Sequence, residues 1–304
     1  MSTILVTGAT GNVGSQVVRE LRSRDAPTRA FVRDPEKAGV VLGADVDLAV
    51  GDFADATSIR RALDGVETVF LTSGDGPQKV EHETAVIDAA AAAGVSRIVK
   101  LTTVGARAGS PLPPFDWHGR IEEHLARSGV PAVILRSNFY MSNLLLSAEP
   151  IRHEERLFAP AGRGQIGMID PRDVAAAAAV LLTTPGHEGK EYVVTGPAAI
   201  SFQEVADDLA VATGRPVTYV DVPPDAARAA LVAAGMPDWL VRHLHAIFGV
   251  TREDGLAVTT GTVLALTGRK PRRFADFARD HAAAFGAGTP VQAEGDPAQA
   301  VDQG

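Results

Sequence analysis

The feature that most constrains this 304-residue chain is a glycine-rich turn close to its N-terminus. The apolar run at 4–6 is followed by Gly8, Gly11 and Gly14, and a helical pattern of apolar residues then covers 15–21. A strand, a glycine turn of this spacing and a helix, in that order, are typical of a dinucleotide site, with glycines for the tight turn, the approach of a pyrophosphate and close helix–strand packing. We predict that the pyrophosphate binds at the helix N-terminus, where the dipole favours negative charge. The predicted binding residues are Gly8, Thr10, Gly11, Asn12 and Val13.

Composition excludes several classes of function. The net charge is −8 and there is no basic run, which disfavours nucleic acid as a partner. The chain has no cysteine, so disulfides, thiol nucleophiles and thiolate metal ligands are excluded. His243 and His245 share a predicted helix but face different directions, and we predict no metal site. The first strand begins too early for a signal peptide and no apolar stretch is long enough for a bilayer, so we expect a cytoplasmic protein without a membrane partner.

Strands and helices alternate through the first half of the chain. Further strands are predicted at 28–33, 47–50, 66–71, 97–102 and 132–136, and a long helix at 80–93 is closed by Gly94. This alternation is typical of right-handed crossovers in a parallel, doubly wound sheet. The predicted fold class is therefore α/β, a Rossmann-type sheet that binds its ligands outside the carboxyl ends of the strands.

The alternation weakens after residue 136. Capping patterns at 170–171 and 201–204 open two helices, the second ending at Gly214; a strand follows at 217–222, and the rest up to 285 is mostly helical. We predict an NAD(P)-binding domain at 1–150, to which segments at about 165–195 return, and a smaller, mainly helical substrate lobe at 151–285. The tail at 286–304 has little to bury and is predicted to be disordered.

The end of the second predicted strand bears on the choice of dinucleotide. An acidic residue here usually binds the ribose 2′-hydroxyl of NAD, whereas arginine suits the 2′-phosphate of NADP. The chain has Arg33, with Lys37 one turn into the next helix, so NADP(H) is favoured. NAD(H) stays open as an alternative because Asp34 adjoins Arg33, and the two basic residues could also be an ordinary exposed pair.

Polar residues follow the next strands as well. Asp52 and Phe53 come at the end of the third strand, where they could hold an adenine, although Asp52 could instead cap the next helix. Thr72 and Ser73 form a polar turn after the fourth strand, and we predict that they also contact the cofactor.

These motifs carry a resemblance to a known family. With the glycine turn, the run Phe31-Val32-Arg33-Asp34-Pro35, Gly51-Asp52-Phe53, and Leu135-Arg136-Ser137-Asn138-Phe139-Tyr140, the chain resembles the NmrA-like family of atypical short-chain dehydrogenases/reductases. Within it, the chain is most similar to bacterial NADPH-dependent quinone oxidoreductases and to relatives from aromatic polyketide pathways. The resemblance covers roughly residues 1–285 and implies a Rossmann domain, a helical lobe that roofs the substrate pocket, and a nicotinamide dinucleotide, usually NADP(H).

The resemblance also exposes a departure at the catalytic position. The larger superfamily reduces carbonyls with a Tyr-x-x-x-Lys pair, but here His118 falls at the lysine position and Pro114 at the tyrosine position. His118 could bind the nicotinamide ribose or protonate a substrate oxygen, or it could simply pack near the helix start. Thr102 and Thr103 match the serine region of the superfamily and are predicted to contact cofactor and substrate respectively. The predicted catalytic residues are His118 and Thr103.

Aromatic residues make up only 5% of the chain, yet several are predicted near one edge of the sheet. We expect Trp117, Phe139, Tyr140 and Asn143 to line the pocket of a flat, apolar substrate, or else the aromatic rings to form a core between the two lobes. The leading prediction is an enzyme that transfers hydride from NAD(P)H to a quinone or an aromatic, polyketide-like carbonyl. The alternatives are a non-catalytic NADP(H) sensor that acts on a protein partner and an isomerase or dehydratase. A homodimer is compatible with the sequence.

Overall fold

The protein is described by a computed structural model over residues 3–287, which contains a seven-stranded parallel sheet with helices on both faces. The tail at 286–304 is predicted to be disordered. All of it except residues 286 and 287 lies outside the described residues. The strands of this sheet are β1 (Thr3–Val6), β2 (Thr28–Val32), β3 (Asp47–Val50), β4 (Val66–Leu71), β5 (Arg97–Thr103), β6 (Ala132–Ser137) and β9 (Glu191–Val194). Two smaller sheets are formed by β7 (Arg156–Ala159) with β11 (Thr218–Asp221), and by β8 (Gln165–Ile166) with β10 (Ile200–Ser201).

The helices follow the same chain order. They are α1 (Gly14–Arg22), α2 (Pro35–Leu42), α3 (Ala56–Ala62), α4 (Lys79–Ala93), α5 (Pro113–Arg127), α6 (Ala148–Glu154), α7 (Pro171–Thr183), α8 (Phe202–Thr213), α9 (Pro224–Ala233), α10 (Asp238–Arg252), α11 (Thr262–Thr267) and α12 (Phe274–Asp280). A 3-10 helix (Met141–Ser147) precedes α6. Among residues 3–287, no helix combines the length and apolar character needed to cross a membrane.

The order of the strands creates the binding crevice. The sheet runs β3-β2-β1-β4-β5-β6-β9, so the chain builds one half outward from β1 and then returns to build the other half from β4. The predicted doubly wound α/β fold is therefore confirmed. A ligand crevice lies at such a reversal, outside the carboxyl ends of the two strands. Here the glycine turn follows β1, and Thr72 follows β4.

Two helical layers bury the two faces of the sheet. On one face, Val17, Val18 and Leu21 of α1 share a core with the alanines of α7, whose small side chains let the two helices pack closely. On the other face, α3, α4 and α5 contribute side chains such as Ile87 and Ile121. The later segments α7 and β9 thus lie against and within the large sheet, since β9 pairs with β6.

The helix ends follow local sequence signals. Asp170 caps α7 by accepting a hydrogen bond from the backbone N–H of Arg172, and Ser201 and Glu204 form a reciprocal capping box at α8. Gly94 closes α4 in the left-handed conformation. Helices α6, α8, α10 and α12 and the two small sheets contribute to a separate core that includes Phe202, whereas α11 packs against α7 and β9. Residues of α10 line one end of the crevice.

Candidate dinucleotide and substrate site

The turn after β1 has the close contacts that its glycines predict. Gly8 has a φ of +58°, and its carbonyl oxygen accepts a hydrogen bond of 2.9 Å from the N–H of Gly11. A Cβ on Gly14 would lie 2.2 Å from the same carbonyl oxygen, which is closer than any real contact. A Cβ on Gly11 would lie 3.1 Å from it. The turn is therefore a compact cradle, and a side chain at Gly11 or Gly14 would press against its backbone.

The two loops at the crevice are joined by one threonine. The hydroxyl of Thr7 donates to the carbonyl of Thr72 at 2.7 Å, and the N–H of Thr72 donates back to that hydroxyl at 2.9 Å. These two hydrogen bonds hold the β1 turn beside the β4 turn. Thr7 is completely buried, so water does not compete for them. The spacing between the two sides of the crevice is thus fixed by the protein.

A cavity of about 670 Å³ runs along the carboxyl ends of the strands, within the size range of ligand sites. It joins most of the residues predicted from the sequence, but Lys37 and Trp117 are not among those that line it. The predicted residues that line it are Gly8, Thr10, Gly11, Asn12, Val13, Arg33, Asp52, Phe53, Thr72, Ser73, Thr102, Thr103, His118, Phe139, Tyr140 and Asn143.

Arg33 lies at one end of this cavity as an exposed residue directly after β2. The carboxylate of Asp34 accepts a hydrogen bond of 3.0 Å from the backbone N–H of Lys37 and so caps α2. Asp34 is therefore already engaged in the protein, while Arg33 lines the cavity. The side chain of Lys37 is exposed on α2.

An aromatic surface adjoins this end. Phe53 stacks on His82 of α4 with a centroid separation of 5.5 Å and an angle of 16°, and Phe31 meets Phe53 edge-on. Asp52 accepts a hydrogen bond of 2.8 Å from the N–H of Ala54, and Asp55 caps α3 in its place. His82 was not predicted as a site residue, because only the packing of α4 beside the β3 turn brings it to Phe53.

The two threonines after β5 differ in their surroundings. The hydroxyl of Thr102 donates to Glu122 at 2.6 Å, and Glu122 is also held by both terminal nitrogens of Arg136, at 2.7 and 3.0 Å. The hydroxyl of Thr103 makes a long hydrogen bond of 3.3 Å to the carbonyl of Val104. Thr103 therefore has the more available hydroxyl of the two.

His118 lines the cavity from α5 but is only 8% exposed. Its Nδ1 lies 3.3 Å from Nζ of Lys100. Burial, and then the charges of Lys100 and Lys79, hold the pKa of His118 well below its ordinary value. A lysine ammonium can only donate, so Nδ1 is the acceptor and the ring proton lies on Nε2. His118 is thus a neutral imidazole with Nε2–H as its free donor.

Behind His118 is a buried charge cluster that sequence reasoning missed. Glu83 receives Nζ of Lys100 at 2.6 Å on one carboxylate oxygen and Nζ of Lys79 at 3.0 Å on the other. Burial alone would raise the pKa of Glu83, but the two lysines outweigh it and lower that pKa to about 2. Burial lowers the pKa of Lys100 to about 8. The sequence does carry one signal of this cluster, namely Lys100 within the otherwise apolar part of the strand predicted at 97–102.

The aromatic candidates have different environments. Tyr140 lines the cavity, its hydroxyl lies 2.8 Å from the hydroxyl of Ser137, and burial raises its pKa to about 12, so it keeps its proton. Phe139 also lines the cavity and meets Phe202 edge-on. Trp117 instead packs against Trp239 of α10. It adjoins His118 on a helix, where successive side chains point about 100° apart, so only one of the two faces the cavity.

The helical lobe contributes a second imidazole. His243 of α10 lines the cavity beside Phe115, with a centroid separation of 6.5 Å, and its Nδ1 is buried without a hydrogen-bond partner among the described residues. Burial lowers the pKa of His243. No cluster of metal-binding side chains occurs within residues 3–287. This end of the cavity therefore combines apolar side chains with two imidazoles.

The fold and the site together define a dinucleotide-binding protein of the Rossmann class whose cavity is lined by polar and apolar side chains. A model of the NmrA-like family matches residues 1–277. The chain belongs to this family, as its motifs indicated.

The chain aligns with two curated relatives and one solved structure over almost the whole length of each. The chain is 41% identical to an NAD(P)H azoreductase of Xenophilus azovorans, covering 93% of this chain and 99% of that one. It is 38% identical to a (4-alkanoyl-5-oxo-2,5-dihydrofuran-3-yl)methyl phosphate reductase of Streptomyces griseus, with the same coverage. The structure of an NADPH-dependent quinone oxidoreductase of Escherichia coli with NADPH superposes with a TM-score of 0.83 at 32% identity, covering 91% and 99% of the chains.

Proposed function

We propose that this NAD(P)H-dependent oxidoreductase transfers hydride to flat, conjugated acceptors, namely quinones and related aromatic compounds. The enzyme class follows from relatives that are named NAD(P)H-dependent reductases and match nearly the whole chain. The observation that carries the substrate class is the cavity wall, to which Phe115, Phe139 and Ile247 contribute apolar side chains and His118 a neutral imidazole. A planar ring system suits such walls.

The cofactor is NADP(H), and the cradle observed at the β1 turn fits it. A Cβ on Gly8 would lie 2.9 Å from the side chain of Thr72, and one on Gly11 would lie 3.1 Å from the carbonyl oxygen of Gly8. Glycines therefore let the turn close tightly at the start of α1, where backbone N–H groups suit a pyrophosphate. We infer that Arg33 pairs with the 2′-phosphate and that Phe53 and His82 lie against the adenine. When bound, the dinucleotide supplies the hydride; the protein orients it and excludes water.

The residues at the reaction end favour an acceptor that needs little acid assistance. Pro114 offers no proton where the wider superfamily has tyrosine, and Tyr140 holds its own proton with a pKa of about 12. A quinone becomes a delocalised hydroquinone anion after it receives hydride, so its reduction demands less of a general acid than the reduction of a ketone. The Nε2–H of His118 can donate a hydrogen bond to that oxyanion, with Thr103 as a second donor.

The proposal is tested by following NADPH oxidation anaerobically against benzo-, naphtho- and anthraquinones and an azo dye. We expect turnover with the quinones and the azo dye and slower or no turnover with simple aliphatic ketones. Oxidation with none of the flat acceptors, while NADPH still binds by fluorescence, would contradict the proposal. It would favour the regulator hypothesis, which is checked by comparing capture of protein partners with and without NADPH.

Replacing Arg33 with alanine should weaken the preference for NADPH. Loss of a charge-assisted hydrogen bond to phosphate costs about 1.5–3 kcal/mol, or roughly a 10- to 100-fold higher KM for NADPH. The KM for NADH should change little, since NADH lacks the 2′-phosphate. Steady-state kinetics with both cofactors measure this ratio. Arg24→Ala, an exposed arginine outside the cavity, is the matched control. An equal change for both cofactors would place the 2′-phosphate elsewhere.

A further inference from the structure

The buried cluster of Lys79, Glu83 and Lys100 behind His118 contains more charge than the packing of the fold requires. Glu83 and Lys100 are completely buried and Lys79 is 2% exposed, so three charged side chains lie between α4 and β5. Burying charges is costly, and apolar residues of similar size commonly stabilise a protein as well or better. The neighbouring positions Ile87, Ile98 and Val99 are apolar, and a continuous apolar core would serve packing alone.

Lys100 joins this cluster to the imidazole of His118 in the wall of the cavity. Lys100 is held on one side by Glu83 at 2.6 Å, and on the other side it reaches Nδ1 of His118 at 3.3 Å. It also donates to the carbonyl of Leu101. Lys100 does not line the cavity, whereas His118 and Lys79 do. His118 is the cavity-lining group whose ring nitrogen Lys100 contacts directly, so the imidazole offers its proton a one-step route to a ligand.

We propose that Lys100, acting through His118, supplies the proton that completes reduction of the substrate, in place of the absent tyrosine. This inference rests on the proposed function, because it needs an acceptor that becomes an anion after it receives hydride. Lys100 is a positioning residue in this scheme, since it acts on the substrate only through His118. Glu83 forms an ion pair with the ammonium group of Lys100 at 2.6 Å and favours its charged form.

The proton transfer balances without any further reagent. Hydride brings two electrons and one hydrogen to the acceptor and leaves an oxyanion on a quinone, or a nitrogen anion on an azo compound. The Nε2–H bond of His118 breaks as the new O–H or N–H bond forms, and an N–H bond of Lys100 breaks as Nδ1–H forms. Lys100 and His118 are then both neutral. After product release, Nε2 takes a proton from water in the cavity and Nδ1 returns its proton to Lys100, which restores the starting state.

The electrostatics suit this role. A group with a pKa near the working pH is the most effective proton donor, and burial brings the pKa of Lys100 to about 8. A neutral His118 can pass a proton on only when Nδ1 is supplied at the same time, which is what its contact with Lys100 provides. The charged or titratable groups that face Lys100 are Glu83 and Lys79 from α4 and Glu122 and His118 from α5. Those that face His118 are Lys100, Lys79, Arg136 and His243.

The test compares acceptors that differ in their need for a proton. An azo dye leaves a strongly basic anion, a quinone leaves a weaker one, and a cationic triphenylmethane dye becomes neutral on receiving hydride and needs no proton. Lys100→Met should lower kcat about 100-fold with the azo dye, less with the quinone, and under about threefold with the cationic dye. Lys190→Met, an exposed lysine outside the cluster, is the matched control.

Two further readouts separate proton supply from a structural role. With the azo dye, wild-type kcat should fall as pH rises through about 8, because Lys100 loses its proton, and Lys100→Met should lack this limb. The double variant Lys100→Met/His118→Phe should be no slower than His118→Phe alone, because both residues serve one step. If the cationic dye is a poor substrate, two results test the proposal instead: the fall of kcat with the azo dye above about pH 8, and the comparison of the double variant with His118→Phe.

A third measurement needs no turnover. Nitrogen-15 NMR of the histidines in the cofactor-free protein should find His118 neutral at pH 7, with its proton on Nε2, and that signal should shift in Lys100→Met. An equal loss of kcat for all three acceptors, or a proton on Nδ1 in the wild type, would overturn the proposal. If the wild-type protein reduces no acceptor at all, the proposed function fails instead, and the NMR result still reports whether Lys100 directs the tautomer.

Discussion

Replacing Gly14 with alanine is expected to lower the free energy of unfolding by about 3 kcal/mol and to abolish NADPH binding. The added Cβ would lie 2.2 Å from the carbonyl oxygen of Gly8 and 2.8 Å from its carbon. Both are backbone atoms of the cradle, so the contact is relieved only if the start of α1 or the turn itself moves. Either movement displaces the N–H groups that would face the pyrophosphate.

Urea unfolding and NADPH fluorescence measure the two effects of Gly14→Ala. Gly39→Ala is the matched control, because Gly39 lies within α2 and no atom would come within 4 Å of its new Cβ. That change should stabilise the protein by about 0.5–1 kcal/mol through the helix propensity of alanine. An unchanged unfolding midpoint and unchanged NADPH affinity in Gly14→Ala would show that the close packing at the turn is dispensable.

Glu83→Gln is expected to cost about 3 kcal/mol of stability at pH 7. The pKa of Glu83 falls from 4.5 to about 2 on folding, and a shift of this size corresponds to about 3 kcal/mol in favour of the folded protein. Since the folded pKa is the lower one, this stabilisation is fully present above about pH 4.5 and is lost as pH falls toward 2. The difference between wild type and variant should therefore shrink over that window.

Chemical unfolding of both proteins between pH 7 and 3 tests this expectation. Glu123→Gln on the exposed face of α5 is the control and should change stability by less than about 1 kcal/mol at every pH. The double variant Glu83→Gln/Lys100→Met should lose less than the sum of the two single changes, because it removes a buried cation together with its partner. Additive losses would mean that Glu83 and Lys100 do not stabilise each other.

Much of the large sheet could be predicted because its signals are local. The strands at 47–50 and 66–71 have the predicted bounds, and β2 ends one residue before Arg33. The caps at Asp170 and Gly94 are also present as predicted, since each depends on a few neighbouring residues. Helical crossovers make neighbouring strands parallel, which places their polar carboxyl ends at one edge of the sheet.

The interior of the site could not be predicted in the same way. Lys79 and Glu83 look like an ordinary i, i+4 surface pair in the sequence, and only the packing of α4 against β5 buries them beside Lys100. His243 is more than a hundred residues from His118 in the chain, and the lobe brings both to one cavity. Trp117 shows the same limit, because the direction of its side chain depends on how α5 meets α10.

The sheet, the glycine cradle and the family can be recognised from the sequence alone, since each rests on residues that are adjacent or regularly spaced. The tertiary structure decided which side chains share the cavity and in which charge state they do so. That decision depends on burial, because a lysine or a histidine changes its pKa only when distant elements exclude water around it. The neutral imidazole of His118 and the charged pair behind it therefore became apparent only in the folded chain.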